Sequence, residues 1–137
     1  MKEKVKETLK QLGFDVDEVE DFIFHFQYEG LSYLCAGNME DDEFLSIAIP
    51  DVIGRADVSE LDYYKLMDSV NSALKYVKAY TFDNDMWLAC ERKVYEGDDM
   101  MLVIGNMIQQ LDCAFVYFAS EMRKMIADND STSDEEE

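Results

Sequence analysis

The segment "DDMMLVIGNMIQQLDCAFVYFASEMRKM", residues 98–125, reads as one long helix with a single broad oily side. At about 100° per residue, Met100, Val103, Ile104, Met107, Ile108, Leu111, Ala114, Phe115, Phe118 and Met122 fall on one continuous arc roughly 140° wide. Asn106, Gln109, Gln110, Asp112, Ser120, Arg123 and Lys124 lie opposite. An arc that broad needs a sheet to cover it. Leu102, Cys113, Val116 and Tyr117 are left on the outer side, where a twofold partner is the usual cover.

Upstream the period changes to two. "FIFHFQYEG", residues 22–30, puts Phe22, Phe24, Phe26 and Tyr28 on one side and Ile23, His25 and Gln27 on the other, as in a half-buried strand. Gly30 turns the chain into "LSYLCAG", and "FLSIAIP" follows the acidic loop "NMEDDE" as a third strand. Pro50 cannot donate to a ladder, so it belongs at that strand's end or on an edge. A first helix spans 2–12 and Gly13 ends it; Lys2, Lys4, Lys6 and Lys10 make it the one basic surface. Ser59 and Asp62 form a capping pair for a second helix, whose stripe runs Tyr63, Leu66, Met67, Val70, Ala73, Leu74, Val77. Two more strands meet at Asp83-Asn84-Asp85. The order α-βββ-α-ββ-α predicts an α+β fold: an antiparallel five-stranded sheet with helices on one side. Residues 1–126 form the single domain, and 127–137, without an apolar group other than Ala127, form a disordered acidic tail.

The formal charge is −19, and residues 1–126 alone carry 25 acids against 12 bases. Such a body repels phosphate backbones and anionic bilayers, so neither nucleic acid nor membrane is an expected partner. Three cysteines without a CxxC fit buried thiols in a reducing cytoplasm. The N-terminal "MKEKVKETLKQLG" alternates charge and lacks an apolar signal core.

Catalytic chemistry finds little to work with. His25 is the lone histidine and sits mid-strand among phenylalanines, which reads as structural. "DNDMWLACE" begins like a calcium loop, but Trp87 and Leu88 stand where a ligand and the turn glycine belong. The six glycines are isolated, so no phosphate cradle forms. No cofactor or metal is expected, and the chain reads as no enzyme. If Leu88, Cys90 and Val94 face the helices, then Trp87, Ala89, Glu91, Lys93 and Tyr95 face away, joined by Ile23 and His25. The candidate partner surface is Ile23, Trp87, Tyr95, Leu102, Val116 and Tyr117.

The segment "LMDSVNSALKYVKAYTFDNDMWLACERKVYEGDDM" resembles the YbjN family of bacterial proteins, similar in fold to type III secretion chaperones. Val70-Asn71 matches the "VN" near a helix end, and Asp83-Asn84-Asp85 the polar turn between two strands. "LGFDVDEVEDFIFHFQYEGLSYL" is similar to the family's entry from first helix into hairpin, so the resemblance spans about residues 2–125. It implies a small acidic dimer that holds client polypeptide, with no catalytic residues to carry over. The expected function is a cytoplasmic, non-catalytic protein-binding or regulatory module, chaperone-like and homodimeric. Its rivals are a small-ligand protein or enzyme using a carboxylate pair, and an acidic mimic of nucleic acid.

Overall fold

The computed structural model describes residues 1–37 and 44–136, with side chains as far as Asp130. The acidic loop read at "NMEDDE" lies outside the described residues. The elements are α1 (Lys2–Gln11), β1 (Asp17–Glu20), β2 (Ile23–Tyr28), β3 (Leu31–Gly37), β4 (Phe44–Gly54), α2 (Glu60–Ala73), β5 (Val77–Phe82), β6 (Asp85–Lys93) and α3 (Met100–Glu136). All strand pairings are antiparallel, in the order β1-β2-β3-β4-β6-β5. The sheet therefore has six strands rather than five. The additional one, β1, is exposed at every position, so it carries no alternation to read. Charge helps to hold it: Lys2 and Lys6 of α1 pair with Glu18 at 2.9 and 3.6 Å. Two of the four lysines of the basic helix, Lys2 and Lys6, thus face the chain's own acids.

Register shows how the core is assembled. Phe24, Cys35, Ile47, Cys90 and Val77 stand side by side across five strands, all buried on one face. Ile49, Leu88 and Ala79 continue that face. Val5 and Leu9 of α1, Tyr63, Leu66 and Val70 of α2, and the arc of α3 complete one cluster with it. In α3, Met100, Val103, Ile104, Met107, Ile108, Leu111, Ala114 and Phe118 are buried, as the 3.6-residue period requires. By length and composition this helix could cross a bilayer, but its apolar arc is packed on the sheet as a core helix.

Turn chemistry closes the hairpins. Glu29-Gly30 and Asp83-Asn84 both take positive φ at two successive residues, the two-residue turn that matches strand twist. Gly37 is required by packing, since a Cβ there would run into the Phe22 ring. Ser59 Oγ accepts from the Asp62 amide at 3.1 Å and starts α2.

Three further readings need correction. Pro50 lies inside β4, an interior strand, neither at an end nor on an edge; the bulge between Ile49 and Ile53 removes the need for its missing N–H. Val77 is the first residue of β5, and α2 stops at Ala73 because Leu74 turns extended. The α3 backbone stays helical to Glu136, where composition predicts a disordered tail. Extension of an anchored helix adds one hydrogen bond per residue without a new nucleus, and Asn129 bonds Asp62 of α2 at 3.2 Å.

Candidate functional site

The sheet face turned away from the helices is mixed: apolar side chains lie among polar ones, where a solvated antiparallel face is normally polar. His25, Leu34, Ala48, Ala89 and Lys78 form one row across it, and Ile23, Ala36, Ser46 and Glu91 the next. The centre is built of small side chains, Ala36, Ser46, Ala48 and Ala89, and Ala48 and Ala89 are buried between taller neighbours. Ile23, His25 and Leu34 rise on one side. On the other, Trp87 packs against Phe82 and Tyr80, ring centroids 4.8 and 6.4 Å apart. Ordered by side-chain size, the face is low at its centre and tall at its flanks, and is called the trough below. At about 4.8 Å per strand, β2 to β6 spans roughly 14 Å, close to the 10–12 Å width of a helix with its side chains.

Fixed contacts hold the aromatic wall. Trp87 Nε1 donates to Asp51 Oδ1 at 3.0 Å. Lys78 pairs with Glu91 at 3.1 Å and lies over the Tyr80 ring. Ile23 and Trp87, singled out from sequence, therefore share this face. Tyr80 and Phe82 belong to it too and were not identified from sequence, although the parity of "AYTFDNDMW" around its turn carries the signal.

The remaining candidates lie elsewhere. Tyr95 is exposed beyond the end of β6, beside a shallow recess of about 460 Å³ that also includes Tyr76, Arg92 and Gln110. Leu102 and Val116 are exposed on the outer side of α3. Tyr117 is half-buried and packs against the core. The candidates thus divide between a sheet face and a helix face, the two surfaces expected from sequence.

A carboxylate cluster forms where the β4 bulge meets the β5–β6 turn. The Asp85 carboxyl is held above the usual carboxylate range, first by burial and then by Asp51, to which it hydrogen-bonds, with Asp57 and Asp83 adding repulsion. Asp57 Oδ2 accepts from the Gly54 amide at 2.9 Å. Among the described residues no group of three or more His, Cys, Asp or Glu side chains is placed to hold a metal ion. Asp83 and Asn84, the start of the apparent calcium loop, make the hairpin turn, and Trp87 and Leu88 are in strand. His25 sits between Asp17 of β1 and Leu34 of β3. Cys35 and Cys90 are buried and Cys113 is exposed; burial pushes the Cys35 thiol up to about 12.

Asn71, of the quoted "VN", has a structural task. Its Nδ2 donates to the Ala79 carbonyl at 3.0 Å, and its Oδ1 accepts from the Ala79 amide at 2.7 Å. One side chain thus stands in for the missing neighbour of edge strand β5.

No family model and no curated protein matches the chain. Its fold is similar to those of solved structures, among them the following two. One is YbjN from E. coli, a candidate transcription regulator, with TM-score 0.64 and 14% identity over 88% of this chain and 92% of that one. The other is an uncharacterized protein from Methanothermobacter thermautotrophicus, with TM-score 0.65 and 14% identity over 90% of this chain and 97% of that one. The likeness is one of fold, a YbjN-like α+β architecture.

Proposed function

We propose that this chain is a cytoplasmic, non-catalytic, homodimeric module that holds a basic amphipathic polypeptide segment in the trough of its uncovered sheet face. The observation that carries the reading is the alanine-floored row from His25 to Lys78 with Trp87 along its wall. Aromatic anchors beside small, desolvated residues are the make-up of interface cores. The charge of −19 selects the occupant, because a field of that sign recruits cationic partners and repels DNA. Membership of the YbjN family, its likeness to secretion chaperones and a regulatory role exerted through a bound protein belong to this proposal.

Trp87 is the single tryptophan and stands on the trough wall, so the protein carries its own reporter. Titration with a synthetic helical peptide of alternating Leu and Lys faces is expected to shift Trp87 emission to the blue, saturably. Leu34→Lys, a change on the side of the trough opposite Trp87, should abolish the shift. An emission spectrum that does not respond to the peptide removes the reading.

A second reading, acid–base chemistry, is favoured by one observation: the Asp51–Asp85 carboxyl pair, hydrogen-bonded to one another, with the Asp85 carboxyl held above the usual carboxylate range. A hydrolase screen that finds turnover lost in Asp51→Asn and Asp85→Asn would replace the binding proposal with this one.

A further inference from the structure

We infer that two copies of this chain pair through the outer sides of their α3 helices, antiparallel and centred on Gln109. The inference specifies the homodimer proposed above, and it is independent of what fills the trough.

The stripe diametrically opposite the buried arc of α3 runs Leu102, Asn106, Gln109, Cys113, Val116, spaced four and three residues alternately. All five are exposed, with Leu102 at 63% and Val116 at 60%. The spacing is that of a helix–helix seam. Over about 21 Å of helix at 1.5 Å per residue, this stripe carries no charge, in a chain where 31% of residues are charged. Two acidic bodies approach one another at least cost through such a strip, whereas a basic partner finds nothing there to pair with.

The order of residues selects the orientation. About Gln109 the stripe is nearly palindromic: turned end for end, Leu102 meets Val116 of the second copy, Asn106 meets Cys113, and Gln109 meets itself. That is the self-complementarity a twofold interface requires. The flanks agree. Asp98 and Asp99 precede the stripe and Arg123 and Lys124 follow it. Antiparallel pairing sets Arg123 within roughly 6 Å along the axis of Asp99 on the other copy, while parallel pairing would set like charges together.

Gly105 is an independent observation. It lies on the same side, one turn from Leu102 and Gln109, in the interior of α3. Glycine weakens a helix interior, and a Cβ added here would meet nothing within 4 Å in the chain itself. The fold of one copy gives no steric reason for a glycine. Close approach of a second helix does.

Light scattering on wild type at tens of micromolar should give twice 15.9 kDa. Gly105→Leu, which fills open space in a single copy, should keep the fold by circular dichroism and give the monomer mass. In Asn106→Cys, oxidised glutathione should link the introduced thiol to Cys113 of the second copy, each disulfide releasing two reduced glutathiones. Two such bridges form per dimer, and addition of Cys113→Ser removes them. Wild type should not cross-link, because its Cys113 residues lie about 12 Å apart along the seam. A monomeric wild type overturns the homodimer and this seam together. A dimer that survives Gly105→Leu, or that fails to cross-link through Asn106→Cys, overturns the seam alone.

Discussion

Replacing Asn71 by Ala removes both hydrogen bonds that terminate the β5 edge, at 2.7 and 3.0 Å. A typical intramolecular hydrogen bond contributes about 0.5–1.5 kcal/mol net. Water can reach the vacated Ala79 groups because Asn71 is itself exposed, which favours the lower half of the combined range. The expected loss is about 1–2 kcal/mol. With a urea slope of roughly 2 kcal/mol/M, the unfolding midpoint should fall by about 0.5–1 M. The assay is equilibrium urea unfolding followed by Trp87 emission, at one fixed protein concentration because dimerisation adds its own stability. The slope should be unchanged, since the same surface is exposed on unfolding. A midpoint within about 0.2 M of wild type would refute the edge-cap account of Asn71, as the smallest contribution considered exceeds it.

Gly37→Ala should destabilise by about 1–3 kcal/mol, because its methyl must displace the Phe22 ring; a urea midpoint equal to wild type would contradict that packing. Asp85→Asn should raise the melting temperature at neutral pH and make no difference near pH 3. The folded Asp85 has a raised pKa, so its protonated form stabilises the fold, and that stability is lost as pH rises from the ordinary aspartate value through the raised one. Melting curves across pH 3–8 would show the opposite order if the carboxylate were stabilising. Thiol labelling of the native protein should spare Cys35 and Cys90 and modify Cys113, faster as dilution separates the seam; denaturant should release all three.

What was legible in the sequence follows from where periodicity has a physical cause. Ten residues of α3 repeat at 3.6 because one side is buried, and Phe22, Phe24 and Phe26 alternate because one face of β2 is. β1 was illegible since "DEVE" is held by backbone pairing and lysines, not by burial. Val77 continued the α2 stripe by coincidence of spacing, and only the Leu74 backbone reveals the break. Trp87 and Ile23 were placed on one face by parity alone, whereas the Asp51–Asp85 pair was hidden. It joins a bulge to a hairpin, and neither has a period.

Selective ¹³C labelling of alanine methyls offers the most direct test of the trough. During titration with the Leu/Lys peptide, the methyls of Ala36, Ala48 and Ala89 should shift together and saturate, while Ala114, on the buried side of α3, stays still. Shifts confined to residues of α3, with the three trough alanines unmoved, would contradict a polypeptide held on the uncovered sheet.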